Sequence, residues 1–239
     1  MATAKAAIGL RIVERGSAHP ARKGPVPAQL SAPSFKSLDV IVSPAPYPRG
    51  SVLFVEGQTA HGIFAVCSGR VKLSTSSLKG KAIILKIAEA GELIGLPATL
   101  TGTPYEVTAE VSEPARVNFI PGASFLGFLR SNGEAAVEVA QLLALSYYEG
   151  HRLIQSLGHL GSASDKLARF FIDWSAHHAQ GQDRLQMALT HQDIAEMIGV
   201  SRETVTRQMT VLKNRKLLTI QGATVTIRNR AALQGMAGM

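Results

Sequence analysis

The chain has 239 residues, a formal net charge of +8 and a single cysteine. This length suits one large or two modest domains, and one cysteine excludes an intrachain disulfide and a metal or iron–sulfur centre held by a cysteine cluster. No uninterrupted apolar run approaches the length of a membrane span. The composition therefore predicts a soluble, cytoplasmic protein with no membrane partner.

The positive charge is concentrated at the two ends of the chain. Residues 1–30 carry five Lys and Arg against one acid, residues 161–239 carry ten against six, and residues 31–160 carry ten of each. A basic C-terminal region beside a neutral body indicates a separate nucleic-acid-binding module. Residues 1–33 lack steady periodicity, and we interpret them as a disordered basic tail. A transit peptide is the alternative for this acid-poor stretch.

Residues 34–130 are predicted to form a β jelly-roll sensor domain. Short β-rich runs alternate with Gly and Pro, which is typical of a sandwich or jelly-roll barrel. The predicted strands are Ser51–Val55, Ile63–Cys67, Val71–Thr75, Ala82–Ile87, Tyr105–Val111 and Ala115–Ile120.

Residues 131–160 change to a helical period and predict a long helix. Small and apolar residues recur every three or four positions, which indicates a packing seam. We interpret this helix as a homodimer interface, and the alternative is a helix packed on its own barrel. A hinge is predicted at Gly158–Ala163, where the helix should break. The seam consists of Ala136, Val139, Leu143, Ser146, Gly150, Leu153, Leu157 and Leu160.

Residues 161–239 predict a winged helix-turn-helix DNA-binding domain. Thr190 and Asp193 have the spacing of a helix N-cap with its carboxylate, Gly199 can end that helix, and Ser201 can cap the next. The buried sides of the two helices are predicted to carry Ile194, Ile198, Val205, Met209 and Leu212. Asp165–Trp174 should form the first helix of this domain, with Leu167, Phe170, Phe171 and Trp174 on its apolar face.

The outward face of the second helix is predicted to read bases. Arg202, Glu203 and Arg207 lie there; Arg can donate two bonds to guanine, and Glu can accept one from cytosine. The spacing of Glu203 and Arg207 also allows an ion pair. Lys213, Arg215 and Lys216 form a basic end to the helix, where Lys213 and Lys216 are suited to phosphates; the alternative is an interaction with the helix dipole alone. Two short runs, Leu217–Ile220 and Thr224–Arg228, flank a Gly-containing turn and predict the wing.

This order of barrel, long helix, hinge and winged helix, with Ser201–Arg207 reading Ser-Arg-Glu-Thr-Val-Thr-Arg, resembles the CRP/FNR superfamily of bacterial transcription factors. The resemblance covers about residues 35–233. It implies a dimer, a palindromic TGTGA-like site read by the three residues named above, and RNA polymerase as a further partner. It also implies phosphate contacts at Thr190, Gln192, Ser201 and Thr204.

The effector end departs from the pattern of the superfamily's cyclic-AMP binders. Gly91, Glu92 and Gly95 match a Gly-x-x-x-Gly segment, but Leu96 falls at the acid position for the ribose. Tyr105 and Glu106 fall, within one residue, where Arg and Ser would hold the cyclic phosphate. A carboxylate beside a phosphate is unfavourable. We therefore expect an unidentified small-molecule effector in a pocket that includes these residues and Thr108, not conventionally bound cyclic AMP.

Two other functions and one other sensing chemistry are alternatives for this sequence. The first is an effector-independent, constitutive or architectural DNA-binding dimer, which the loss of the phosphate ligands favours. Haem ligation would have to use His61 or Cys67, of which the first suits a surface turn and the second an apolar strand. A cupin-type enzyme would need a cluster of His and Glu, but His61 stands alone among residues 35–130. We therefore expect no catalytic residues, no metal and no cofactor.

Overall fold

The computed structural model of the protein describes residues 44–76, 80–159, 161–178, 184–187 and 189–238. Contacts divide the chain into two units, the first reaching Tyr148 and the second beginning at Glu149. The predicted tail, residues 1–33, and Leu160 of the predicted seam lie outside the described residues. A strand-rich first unit and a helix-rich second unit give the α+β architecture that the sequence predicts.

The first unit is built on antiparallel strands. Two long ones, β3 and β6, pair along most of their length; β4 and β5 pair with β3, whereas β1 and β2 pair with β6. Side chains alternate across a strand, and so β3 contributes to two cores. Phe64 and Val66 belong to the first, here called the inner core, and Ile63 and Ala65 to the second, the helix-facing core. The strands are β1 (Ala45–Tyr47), β2 (Val52–Phe54), β3 (Gly62–Ser76), β4 (Ala82–Ala88), β5 (Leu93–Ile94) and β6 (Thr108–Pro121).

Two long strands replace four of the predicted short ones. The predicted strands on either side of Ser68 and Gly69 are both part of β3. Those on either side of Pro114 both fall in β6, except that β6 begins at Thr108 and not at Tyr105. The pairing of β3 with β6 shifts register here. Gly69 has a φ of 79°, and a Cβ on it would lie 2.3 Å from the carbonyl oxygen of Pro114. A β-bulge therefore bends one continuous strand where the sequence indicated a turn.

The first unit also contains helices, two of which the sequence did not predict. These are α1 (Leu96–Thr101) and α2 (Gly122–Ser131); the long predicted helix is α3 (Gly133–His159), which belongs to the first unit as far as Tyr148. Phe125 of α2 and Val139 and Leu142 of α3 complete the helix-facing core. The helix α3 continues through Gly158, so the predicted break does not occur at that residue.

The seam predicted for α3 is wrong at Val139, whose side chain is 2% exposed within the helix-facing core. On this side the alternative, a helix packed on its own barrel, is correct. Ser146 lies on the same side, about 180° around the helix from the exposed Val137. We call the exposed side the α3 stripe, which consists of Val137, Ala140, Ala144, Tyr147 and Tyr148.

The second unit has the predicted helix-turn-helix and two further elements. A three-stranded antiparallel sheet runs in the order β7-β9-β8, and both β7 and the last helix were missed by the sequence. The apolar face predicted around Phe171 is buried. The elements are α4 (Ala163–His178), β7 (Arg184–Gln186), α5 (His191–Ile198), α6 (Arg202–Asn214), β8 (Leu218–Gln221), β9 (Thr224–Ile227) and α7 (Arg230–Met236).

The last helix is attached to the first helix of this unit by a buried hydrogen-bond chain. Arg230 of α7 donates from Nη2 to Oγ of Ser175 at 2.6 Å, and that hydroxyl donates to the carbonyl oxygen of Ile172 at 2.7 Å. Ser175 is buried in α4, and a buried hydroxyl is stable only when such partners are present.

Across the described ranges, no helix has both the length and the apolar composition needed to cross a membrane.

Candidate nucleic-acid interface and sensor pocket

Both helices of the helix-turn-helix begin and end as the sequence predicts. Asp193 N donates to Thr190 Oγ1 at 3.1 Å, and Thr190 N donates back to Asp193 Oδ2 at 2.8 Å, which completes a capping box for α5. Gly199 ends α5 with a φ of 69°. Ser201 Oγ accepts from Thr204 N at 3.2 Å and caps α6. Each side-chain cap stabilises its helix by about 1 kcal/mol.

Buried apolar side chains fix α6 against the rest of the unit. The predicted inner residues of α5 and α6 are all buried: Ile194, Ile198, Val205, Met209 and Leu212. Leu212 is fully buried, and its carbonyl oxygen accepts a hydrogen bond from Leu217 N at 3.0 Å, where the chain turns into β8. The orientation of α6 is thereby determined by its inner face.

The opposite face of α6 carries the three predicted base-reading side chains. Arg202, Glu203 and Arg207 are all exposed. The pKa of the Glu203 carboxyl is lowered, first by its own backbone N–H, then by the Ser201 hydroxyl and the Arg202 guanidinium. Glu203 is therefore ionised at neutral pH and can only accept hydrogen bonds, as an interaction with cytosine N4 requires.

The predicted ion pair between Glu203 and Arg207 is not formed. No salt bridge within 4.0 Å joins these two described side chains. The groups that lower the pKa of the Glu203 carboxyl are instead its own backbone N–H and the Ser201 hydroxyl, both at the start of α6. Arg207 is therefore not held by Glu203 in the structure.

Most of the residues predicted to hold phosphates interact with neighbours inside the unit. Thr190 Oγ1 donates to Asp193 Oδ2 at 2.6 Å, and Gln192 Nε2 donates to Glu196 Oε1 at 2.7 Å. The hydroxyls of Ser201 and Thr204 are 3.0 Å apart and share a hydrogen bond. A phosphate would have to compete with each of these interactions.

Lys213 and Lys216 are exposed at the C-terminal end of α6. Lys216 has a φ of 56°, a left-handed conformation that is uncommon for a residue with a side chain. Its backbone N–H donates to the carbonyl oxygen of Lys213 at 2.9 Å, which closes the helix end. Lys213 thus lies in the last turn of α6 and Lys216 just beyond its end, at a site suited to phosphate contact.

The predicted wing is present. Strands β8 and β9 pair in an antiparallel hairpin, and Gly222 takes a φ of 57° in the turn between them. Arg228 Nε donates to Thr219 Oγ1 at 3.2 Å, so this guanidinium lies across the wing.

One interaction at the interface was missed by sequence reasoning. Nδ1 of His191, at the start of α5, lies 2.9 Å from Oγ1 of Thr206 on the exposed side of α6. The sequence offered no signal for this contact, because the two residues are 15 positions apart on different helices. It joins the two helices at the surface on which Arg202 and Arg207 lie.

In the first unit, Tyr105 occupies the centre of the predicted effector region. Its side chain is 3% exposed, its hydroxyl donates to the carbonyl oxygen of Gly62 at 2.6 Å, and its ring stacks on Phe54 with centroids 3.9 Å apart. Burial is the main cause that raises the pKa of the Tyr105 phenol. The residue is therefore a neutral, internally bonded member of the inner core.

The other predicted pocket residues are not arranged around Tyr105 as a set. Leu96 packs in the helix-facing core, whereas Tyr105 packs in the inner core. Glu106 is exposed. Glu92 Oε2 lies 3.1 Å from Nζ of Lys86 in an ion pair. Gly95 lies close to the tyrosine ring, since a Cβ on it would lie 2.9 Å from Tyr105 Cε1.

The remaining glycine and threonine of the predicted pocket have local structural roles. Gly91 has a φ of 90° in the turn before β5, and its backbone N–H donates to the carbonyl oxygen of Val66 at 2.7 Å. Thr108 Oγ1 accepts from Glu56 N at 3.0 Å. The first hydrogen bond joins the turn before β5 to β3, and the second joins the segment after β2 to β6.

The two candidate haem ligands are poorly suited to that role. His61 is exposed, and Cys67 is half-buried in β3. Burial is the main cause that raises the pKa of the Cys67 thiol. Because the thiolate is the metal-binding form, this environment disfavours ligation by Cys67.

Two family models match the chain, one in each unit. The Crp-like helix-turn-helix domain matches residues 165–236, and the cyclic nucleotide-binding domain matches residues 44–132. Together with the helix-turn-helix, these matches define a DNA-binding transcription regulator. The chain belongs to the CRP/FNR superfamily.

Relatives with the same organisation match over most of their length. The chain is 27% identical to the nitrogen fixation regulation protein FixK of Azorhizobium caulinodans, over 87% of this chain and 85% of that protein. It is 25% identical to the fumarate and nitrate reduction regulatory protein of Vibrio cholerae, over 90% and 86%. The structure of FixK2 from Bradyrhizobium japonicum has the same fold, with a TM-score of 0.73 at 19% identity, covering 82% of this chain and 97% of that one.

Proposed function

We propose that the protein is a homodimer that reads a palindromic, TGTGA-like DNA site, and that cyclic AMP bound in the usual mode does not control it. We assign sensing to residues 34–130, dimerisation to residues 131–160 and DNA binding to residues 161–239. The observation that carries the proposal is the exposure of Arg202, Glu203 and Arg207 together on a helix that is capped at its start and buried on its other side.

Base reading is supported by the chemistry of these three side chains. An arginine can donate two parallel bonds to guanine O6 and N7, and an ionised glutamate can accept from cytosine N4. Glu203 is in the ionised form for the reason given above. The two arginines and one carboxylate are therefore matched to G·C pairs, as a TGTGA-like half-site requires.

Replacing Arg207 by Ala should relax the preference for guanine at one position of each half-site. Because a bidentate contact to guanine is lost, we expect a cost of about 1–3 kcal/mol at that base pair. A binding selection from a library of randomised half-sites measures the effect position by position. Unchanged base preferences would contradict the assignment of Arg207.

The matched control is Lys213→Ala on the same helix. Lys213 is exposed beyond the predicted base-reading residues, so its loss should weaken binding to all sequences alike and flatten the salt dependence. If Lys213→Ala altered base preference instead, its proposed phosphate contact would be wrong.

Dimerisation is supported by the α3 stripe. Val137, Tyr147 and Tyr148 are 58%, 71% and 63% exposed, although each has a large apolar surface. Val137, Ala140, Ala144 and Tyr147 recur at intervals of three and four residues, the spacing that lets two helices pack along a seam. A second copy of the chain is the occupant that this self-complementary spacing fits, since a symmetric dimer apposes the same face from both subunits.

The proposal on the effector is supported by Tyr105 and Glu106. Tyr105 offers no positive charge to a cyclic phosphate, and its hydroxyl is bonded to Gly62. Glu106 adds an exposed carboxylate. An anionic ligand placed there would meet a like charge without a guanidinium to offset it.

Adding cyclic AMP should leave both the melting temperature and the DNA affinity of the protein unchanged. A ligand that binds the native state stabilises it in proportion to the logarithm of its concentration over Kd, so a bound nucleotide would be visible in a thermal-shift titration. The nucleotide 5′-AMP serves as the control for weak, nonspecific binding. A shift seen with cyclic AMP alone would overturn this part of the proposal.

The burial of Tyr105 also favours the second candidate, a DNA-binding dimer that needs no effector. Tight, specific DNA binding by the purified protein, unchanged by a panel of metabolites, would support it. Specific binding that appears only with a small molecule would support the sensor. In either case, RNA polymerase is the partner that we propose for the DNA-bound protein.

A further inference from the structure

We propose that His191 is a positioning residue that fixes the hydroxyl of Thr206 as a hydrogen-bond acceptor toward DNA, so that α6 disfavours guanine at the base that Thr206 faces. The inference rests on the proposed DNA interface. It is carried by the contact between His191 and Thr206 and by a second contact made by the same hydroxyl.

The direction of both hydrogen bonds follows from the donor and acceptor groups present. Thr206 Oγ1 lies 3.0 Å from the carbonyl oxygen of Arg202, and a carbonyl can only accept. The single hydroxyl proton of Thr206 is therefore used in that bond. Nδ1 of His191, 2.9 Å from the same oxygen, must then carry a hydrogen and donate it. Both contacts are hydrogen bonds only if the Nδ1–H form of the imidazole is present.

Thr206 occupies a position from which it can contact a base. At about 100° per residue, it lies between Arg202 and Glu203 around α6, and it is exposed. With its proton used by the Arg202 carbonyl, it can offer DNA one remaining lone pair and its methyl group. Adenine and cytosine present amino donors to that lone pair, and thymine presents a methyl group. Guanine presents two acceptors in the major groove, and Thr206 cannot donate to either.

His191 makes this arrangement persistent. A threonine in a helix divides between two rotamers, in one of which the hydroxyl bonds to the carbonyl one turn earlier. The donor of His191 adds a second bond to that rotamer alone. Without it, the other rotamer becomes populated, and its free hydroxyl can donate to guanine. The sequence of the base-reading helix by itself would not reveal this selectivity, because the residue that determines it belongs to α5.

The test is a binding selection with every position of the half-site randomised, using the full chain; the base that faces Thr206 is identified as the one whose preference changes in Thr206→Val. The wild-type protein should disfavour guanine there by about fivefold, the value of one ordinary hydrogen bond. His191→Leu should abolish that discrimination. His191→Asn should restore it, because the side-chain amide nitrogen takes the place of Nδ1. In a Thr206→Val background, which lacks the hydroxyl, His191→Leu should cause no further change.

Each contrary result overturns a defined part of the inference. If His191→Leu weakens binding to all sequences equally, His191 acts on phosphate and not on Thr206. If its effect persists in the Thr206→Val background, the two residues are not coupled. Nitrogen NMR of the imidazole, recorded where the ring is neutral, should show a protonated Nδ1, and a protonated Nε2 would overturn the inference without any substitution.

The same selection separates this inference from the proposed function. The guanine read by Arg207 is an internal reference in every experiment. If the wild-type protein shows no preference for guanine at that position, the proposed function is itself wrong. If guanine is preferred there but His191→Leu does not change the preference at the base that faces Thr206, only the proposed role of His191 is wrong.

Discussion

Replacing Ala144 by Glu should convert the protein from a dimer to a monomer and weaken its binding to a palindromic DNA site by about a hundredfold or more. Two linked DNA-binding units exceed the affinity of one by about 10²–10⁴ without any new contact. Separating the subunits removes that gain. Binding to an isolated half-site should remain, because the α6 residues that we propose to read bases are unchanged.

The expected effect of Ala144→Glu follows from its place in the α3 stripe. Ala144 is exposed within the α3 stripe, seven residues after Val137 and four before Tyr148, and small residues at such a position let two helices approach closely. A glutamate there would carry its charge into an apolar interface, where an unpaired charge is strongly unfavourable. By two-fold symmetry the partner would bring a second carboxylate to the same region.

The matched control for Ala144→Glu is Ser146→Glu. Ser146 is also exposed, but it lies about 200° around α3 from Ala144. It was part of the seam predicted from the sequence, so the two variants separate that seam from the α3 stripe. Sedimentation gives the oligomeric state, and DNA titrations with full and half sites give the affinity. Dissociation by Ser146→Glu alone would place the interface on the other face.

Much of the DNA-binding unit could be predicted from sequence because its signals are local. The capping residues Thr190 and Ser201 and the turn at Gly199 act within three or four positions of their partners. Local hydrogen bonding and backbone conformation leave a direct trace in the residue types. The roles of the exposed arginines remain predictions, because they concern a partner molecule.

The errors arise where distant residues determine the outcome. Spacing alone shows that α3 has an apolar repeat, but not which of its faces the barrel covers. Val139 is buried in one cluster with Ile63 of β3, which lies far away in the sequence. The sequence does not distinguish a glycine in a turn from a glycine in a β-bulge, such as Gly69. The contact of His191 with Thr206 likewise depends on how two helices are placed. These features can be determined only from the tertiary structure.

Replacing Leu212 by Ala should reduce the free energy of unfolding of the second unit by about 2–5 kcal/mol, the usual cost of removing a buried leucine side chain and leaving a cavity. Leu212 is fully buried on the inner side of α6. The loss should fall on stability and not on base preference, because Arg202 and Arg207 are on the exposed side of the helix. At temperatures where the variant stays folded, its half-site selection should match that of the wild type.

Trp174 provides the measurement for Leu212→Ala. It is the only tryptophan of the chain and is buried in α4, so its fluorescence during a denaturant titration reports the unfolding of the second unit alone. Lys213→Ala, an exposed neighbour on the same helix, is the control and should change stability by no more than about 0.5 kcal/mol. Equal stabilities of the two variants would mean that α6 is not anchored through Leu212. A change in base preference with unchanged stability would mean that the inner face of α6 takes part in reading DNA.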